Sequence, residues 1–404
     1  MNDCIYLDNN ATTQIDEEVL AQMLPYLTTH YGNPSSKHEF GAQVTKAVRK
    51  AREKVASLLG AKNSSEIIFT SCGTEGNNAA IRAALSIQPE KRHIVTSSVE
   101  HPSVLNTCKQ LAELGYRVTY LSVNSRGQLN LDEVRNAISE DTALVSLMYA
   151  NNETGVIFPI EQIGAIAKEY GAIFHVDAVQ AVGKIPLNLQ NSAIDLLTLS
   201  GHKIHAPKGI GALYLRRGLK FSPFLIGGRQ ERGRRGGTEN VPGIVALGKA
   251  AELAEQNLCN IRQEQNLRDR LERQILSTIP KTTVNGDINS RLPNTTNIGF
   301  KYIEAEAILL HLDRQGIYAS SGSACSSGSL EPSHVLQAMD LPDSILQGSI
   351  RFSLSKYNTV AQIDRLCQIL PGIVETLRAF SPATDSEAEI WLPERESEIL
   401  ANLN

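Results

Sequence analysis

The run Ser200-Gly201-His202-Lys203 holds the most pointed chemistry in this 404-residue sequence. An apolar stretch from Ile194 to Leu199 predicts a short buried strand that stops abruptly at small polar residues and one lysine. A lysine amine whose pocket lowers its pKa becomes a nucleophile toward carbonyl carbon and forms Schiff bases. Alone, the tetrapeptide is an ordinary exposed turn, because most lysines face water. Other polar clusters shift that balance. The segment Ser71-Cys72-Gly73-Thr74-Glu75-Gly76-Asn77-Asn78 lies between a predicted strand, 66–70, and a predicted helix, 79–87. A strand that feeds small residues into a helix start presents unpaired N–H groups and the positive end of a helix dipole, an anion site most economically filled by phosphate. Its glycine spacing fits neither a Walker loop nor the dinucleotide pattern. Glu100-His101-Pro102-Ser103, Asn151-Asn152 and Asp177-Ala178-Val179-Gln180 each follow an apolar run in the same manner.

The elements that carry these clusters alternate. Strands are predicted over 93–98, 117–123, 143–149 and 173–176, and helices over 104–114, from near Asp132, and over 160–170, where Ile160, Ile163, Ile166, Ala167 and Tyr170 share one face. Upstream, the apolar Ile5-Tyr6-Leu7 precedes the turn-rich Asp8 to Thr13, then a helix from about Asp16, a second turn-rich loop from Tyr31 to His38, and a helix over 42–59 ended by Gly60. Such alternation predicts a mostly parallel sheet with helices on both faces, whose ligand lies beyond the carboxyl ends of the strands. Gly73-Thr74, His101, Asn152, Asp177 and Ser200 to Lys203 all fall at those ends.

Composition narrows the function. The chain is long enough for a large and a small domain, and 42% hydrophobic with 20% charged residues is an ordinary globular balance. A net charge of -4 argues against a general nucleic-acid binder. No apolar run reaches membrane-spanning length and Met1-Asn2-Asp3-Cys4 is not a leader, so the expected location is the cytoplasm. Cys4, Cys72, Cys108, Cys259, Cys325 and Cys367 include no CxxC pair, which points to neither a disulfide framework nor a metal site. Arg229, Arg232, Arg234 and Arg235, among glycines from Gly227 to Gly237, look like an RNA-binding segment in isolation, but they lack interleaved aromatics.

Taken together, Asp177-Ala178-Val179-Gln180, Ser200-Gly201-His202-Lys203, Glu100-His101-Pro102-Ser103-Val104, Arg234-Arg235-Gly236-Gly237-Thr238-Glu239-Asn240 and Ser321-Gly322-Ser323-Ala324-Cys325 closely resemble the NifS/IscS-type cysteine desulfurases. The likeness runs from about Tyr6 to Leu377. It implies the fold type I architecture of pyridoxal-phosphate enzymes: a large α/β domain, residues 16–255, with a mostly parallel seven-stranded sheet, and a smaller α+β domain from residues 1–15 and 256–379. It implies pyridoxal 5'-phosphate as cofactor, held by Lys203, with Asp177 at the pyridine nitrogen, Gln180 at the phenolic oxygen, His101 stacked on the ring and moving protons, and Gly73, Thr74, Ser200 and His202 on the phosphate. Thr238 would come from the second subunit of a homodimer, with the arginine-glycine segment at that interface and the active-site entrance, and Asn152 and Arg351 would position the substrate, L-cysteine.

Cys325 decides the reaction class. It sits among small residues, Ala319 to Ser329, which form no stable core element. By the same resemblance its thiolate takes the substrate's sulfur as a persulfide, leaves alanine, and passes sulfur to an iron–sulfur scaffold or another acceptor protein. A selenocysteine lyase or an aminotransferase on the same fold is the alternative, and a sulfur-carrier or arginine-rich binding module the non-enzymatic one. Which acceptor receives the sulfur, and whether cysteine or selenocysteine is preferred, is not encoded legibly. Cys72 and Ala206 replace residues that are more often small or glycine in the family, the latter consequential only if a positive φ is needed there. The stretch 380–404, acidic around Trp391, lies outside the family pattern and reads as a solvated extension.

Overall fold

A computed structural model describes residues 4–321 and 332–380. Six strands alternate with helices along the first half of the chain: β2 (Ile67–Thr70), β3 (His93–Ser97), β4 (Arg117–Leu121), β5 (Thr142–Met148), β6 (Ile173–Asp177) and β7 (Leu196–Ser200) follow the short β1 (Ile5–Tyr6). With β8 (Gly211–Leu215) they build a seven-stranded sheet in the order β2-β8-β7-β6-β5-β3-β4. Only β8 runs against the rest. The carboxyl ends of β2, β3, β5, β6 and β7 therefore share one rim. Strands β5 and β7 are buried at every position, as expected of a sheet covered by helices on both faces.

One helix start differs from expectation. Gly73 to Asn78 was predicted as loop, yet the helix already begins at Gly73 and runs to Ile87. Small polar residues have weak helix propensity, but tertiary contact overrides it here. A Cβ at Gly76 would stand 2.6 Å from Thr198 Cγ2, so the small residues let this helix lie directly against β7. The consequence is that Gly73 and Thr74 occupy its first turn.

The remaining strands, β9 (Thr282–Val284), β10 (Thr295–Phe300), β11 (Ile317–Tyr318) and β12 (Ser349–Ser353), serve a second core. Strands β12, β10 and β9 form an antiparallel sheet, against which the helices Ile261–Thr278 and Val360–Phe380 pack through Leu271, Ile275, Ile363, Leu366 and Leu370. The N-terminal segment belongs to both halves. Ile5 and Leu7 sit in the second core and β1 pairs with β11, whereas the Thr13 N–H donates to the His202 carbonyl at 2.9 Å.

Asp16 closes this strap. Its Oδ2 accepts from Lys356 Nζ at 2.5 Å and from the Tyr357 hydroxyl at 2.6 Å, and Oδ1 caps the following helix through the Glu18 N–H. Burial alone would raise the carboxyl's pKa, but these donors outweigh it and hold it at about 2. A depressed carboxylate stabilises the fold above its unfolded pKa, and that contribution fades as pH falls toward 2. Asp16→Asn is therefore expected to cost on the order of 2 kcal/mol at pH 7. Urea titrations of both proteins check this: the gap should narrow steadily below pH 4, and a gap independent of pH would refute it.

Two of the four arginines of the glycine-rich segment are engaged within the chain. Arg235 grips Glu75 with Nε at 2.9 Å and Nη2 at 3.1 Å, and Arg234 Nη1 donates to the Ser65 carbonyl at 2.9 Å. Ala206 needs no special backbone, since the left-handed residue is its neighbour His205, at φ 67°. Among the described residues no helix is long and apolar enough to cross a membrane. The extension beyond Phe380, with Trp391, lies outside the described residues.

Candidate active site

At the carboxyl rim lies a cleft of about 390 Å³ whose lining includes Gly73, Thr74, His101, Asn152, Asp177, Gln180, Ser200, His202, Lys203 and Arg351. Thr238 does not line it; that residue is exposed. Cys325 lies outside the described residues. On the described residues to either side, Ser320 pairs with the backbone of Arg351, and Ser333 Oγ donates to the buried Glu153 at 2.5 Å.

Each group is placed by the element that ends beneath it. Asp177 is the last residue of β6 and almost fully buried. Its Oδ1 accepts from the Val179 N–H at 3.0 Å and its Oδ2 from Asn77 Nδ2 at 2.7 Å. The same Asn77 nitrogen donates to Ser103 Oγ at 2.8 Å. Ser103 in turn serves His101, whose Nδ1 accepts from the Ser103 N–H at 3.1 Å and lies 2.8 Å from its hydroxyl. A ring nitrogen that accepts a backbone N–H carries no proton, so the neutral tautomer has its hydrogen on Nε2. Burial pushes the His101 pKa down, with Lys203 acting in the same sense and Asp177 against it. His101 is thus a neutral imidazole in fixed orientation.

Lys203 follows β7 in a single turn of 3-10 helix. Its Nζ donates to the Asn10 carbonyl at 2.5 Å and to the Ala11 carbonyl at 2.7 Å. His202 beside it is pushed down to about 4 by burial, then by Lys203 and Lys208. Its Nδ1 lies 3.1 Å from Thr12 Oγ1. Arg351, on β12, is buried to 2% exposure. Nη1 donates to the Asn152 carbonyl at 2.9 Å and Nη2 to Asp8 at 2.6 Å, while Nε is buried without a partner among the described residues. A guanidinium carries five N–H groups, so donors remain for a carboxylate.

The phosphate end fits an anion. Among the described residues, helix Gly73–Ile87 has no side-chain cap on its first turn, and Ser200 Oγ is buried with no hydrogen-bond partner. A Cβ at Gly73 would stand 2.9 Å from Val179 Cγ2 and 3.6 Å from Ser200 Cβ, so only glycine keeps this approach open. An uncapped helix start beside an orphaned hydroxyl is what a phosphate monoester satisfies. An acid, an amine and a neutral imidazole in the same cleft complete a set suited to pyridoxal phosphate. Cys72, the helix N-cap, also lines the cleft.

Sequence reasoning missed Asp8, Asn10, Asn77, Ser103 and Lys184. Asn10 is 1% exposed and accepts through its carbonyl from both Lys203 and Gln180. Its position in a turn-rich loop gave no hint of that role. Among the described residues no group of three His, Cys, Asp or Glu side chains could hold a metal.

The family described as aminotransferase class-V matches residues 5–366. Cysteine desulfurase 2 of Trichormus variabilis is 70% identical over 97% of this chain and 98% of its own length. Cysteine desulfurase NifS of Azotobacter vinelandii is 55% identical over 94% of each chain. Among solved structures, a NifS-like protein superposes with a TM-score of 0.87 at 40% identity, covering 93% of this chain and all of its own.

Proposed function

The chain belongs to the class-V aminotransferase family and to the cysteine desulfurases within it, enzymes that carry pyridoxal phosphate, and from that premise we propose how its residues divide the removal of sulfur from L-cysteine. The observation that carries the assignment is one cleft holding a lysine, a buried acid and an orphaned hydroxyl at an open helix start. When bound, pyridoxal phosphate supplies an electron sink that weakens bonds around the substrate's α-carbon.

The chain's own groups do the rest. Lys203 Nζ would hold the cofactor and would carry a proton at the substrate's α-carbon. Asp177, fixed by Asn77 and the Val179 N–H, would hold a proton on the pyridine nitrogen. His101 presents its Nε2 proton, because Ser103 occupies Nδ1. Gly73, Thr74, Ser200 and His202 would bind the phosphate, and Arg351 with Asn152 would orient the substrate carboxylate. The Cys325 thiolate attacks the substrate's sulfur. The S–S bond forms as the substrate's Cβ–S bond breaks, the electron pair stays on the carbon side, and protonation there ends in alanine. A solved SspA protein in complex with cysteine, 36% identical with a TM-score of 0.78, supports cysteine as the substrate class.

The proposal extends to a cytoplasmic homodimer in which Thr238 reaches the partner's phosphate, and to an acceptor protein, such as an iron–sulfur scaffold, that draws sulfur from Cys325. Domains of residues 16–255, and of 1–15 with 256–379, belong to the same proposal. The test is to incubate the protein with pyridoxal phosphate, L-cysteine and a thiol reductant. Alanine and sulfide should appear in equal amounts. A keto acid in place of alanine would indicate transamination, and a protein that takes up no cofactor would overturn the assignment.

A further inference from the structure

Lys184 has no part in the mechanism above, yet it is one of the most enclosed charged side chains near the cleft. It is 8% exposed and lies two residues past the buried Val182, in the turn that follows β6. Its Nζ donates to Gln180 Oε1 at 2.9 Å and to Asn10 Oδ1 at 3.1 Å. Gln180 Nε2 donates to the Asn10 carbonyl at 3.0 Å, the same oxygen that receives Lys203.

Every neighbour in this array is one-sided. A lysine donates and a carbonyl accepts, so the Gln180 amide has one satisfied orientation, oxygen toward Lys184 and nitrogen toward Asn10. Asn10 is held independently, since its Nδ2 donates to Thr295 Oγ1 at 2.9 Å and to the Asn152 carbonyl at 3.2 Å. An amide nitrogen has two hydrogens; Asn10 takes one, and Gln180 lines the cleft, where the second can serve an anionic oxygen. Turned over, the amide would aim its oxygen at that anion and leave Oε1 to repel it.

We propose that Lys184 is a positioning residue that locks the Gln180 amide so that its N–H, and never its oxygen, faces the phenolic oxygen of the cofactor. The inference rests on the assignment of the cleft to pyridoxal phosphate. Lys184 is also faced by Lys203, Glu264 and Arg351, and a space of about 40 Å³ beside it is lined by Lys203, His205, Glu264 and Lys356. Burial, followed by Lys203, pushes its ammonium down to about 7, with Glu264 opposing and Arg351 assisting. Charged or neutral, the amine keeps enough hydrogens for both oxygens.

The readout is the pH at which the visible absorption of the bound cofactor changes, measured in the full-length protein without substrate. A donor to the phenolic oxygen favours its anion and lowers that pH. Lys184→Met is expected to raise it by about one unit. Gln180→Ala should raise it similarly, and adding Lys184→Met to Gln180→Ala should add less than about 0.3 unit, because contacts acting through one group are not additive. A full shift in the Gln180→Ala background would show that Lys184 acts by charge alone and would overturn the proposal, as would no shift in Lys184→Met. Lys184→Gln, which keeps a side-chain N–H, is the second variant should the methionine chain fail to fold; it should retain most of the wild-type value, and a shift as large as that of Gln180→Ala would count against the lock. A wild-type protein that takes up no pyridoxal phosphate would instead overturn the reading of the cleft.

Discussion

Lys203→Ala is expected to lower desulfuration by at least about 10³-fold, the loss of a covalent anchor and a proton carrier together. The geometry explains why no neighbour can substitute. Two backbone carbonyls, of Asn10 and Ala11, aim the Lys203 amine, and they belong to a loop that is itself pinned to β12 by the Asn9 N–H and Nδ2 on the Ser353 carbonyl. Lys184 is a second buried amine nearby, but its hydrogen bonds tie it to Gln180 and Asn10. Borohydride treatment followed by peptide mass analysis gives a direct check. The wild-type peptide containing Lys203 should gain the mass of the reduced cofactor and the variant should gain none. Activity within tenfold of wild type in Lys203→Ala would remove this lysine from the chemistry.

Cys325→Ser is expected to abolish sulfide release while the cofactor's absorption and its change on adding L-cysteine persist. The separation follows from the division of labour. In the proposed division, binding and activation of substrate would draw on the rim of the large sheet and on Arg351, whereas the sulfur acceptor would be a residue of a different stretch of chain. A serine oxygen is a far poorer nucleophile toward sulfur than a thiolate. Wild-type turnover in the serine variant would place the sulfur-accepting thiol elsewhere, and Cys72, which lines the same cleft, would be examined next.

How far the sequence foretold this site depends on the kind of signal. Apolar runs ending in Asp177 and Ser200 predicted strands β6 and β7 and placed their polar ends on a common rim, because strand burial and the small residues after it are local properties. The start of the helix at Gly73 was placed six residues late, because glycine, threonine and asparagine resemble a loop until the contact of Gly76 with Thr198 is known. Asn77 and Asp177 are a hundred residues apart, and Asp8 lies 343 residues from Arg351. No local pattern announces such pairs. Arg351 was expected to hold substrate, and its existing bonds to Asp8 and the Asn152 carbonyl became visible only in three dimensions. The arginine-glycine segment was ambiguous by composition; the grip of Arg235 on Glu75 supplies an internal role for one of those charges.

The strap formed by residues 5–16 ties the lysine's surroundings to the joining of the two cores. It threads β1 into the second core, passes the Asn9 and Asn10 contacts to Ser353, delivers two carbonyls to Lys203, hands Thr13 to His202 and is knotted to Lys356 and Tyr357 by Asp16. Most of these fastenings join parts of the chain that are remote in sequence. Catalytic geometry and the seating of the second core on the first are therefore one quantity seen from two sides. A chain whose second core were not seated would present the lysine without its carbonyl guides, so competence for chemistry requires the two cores to be joined.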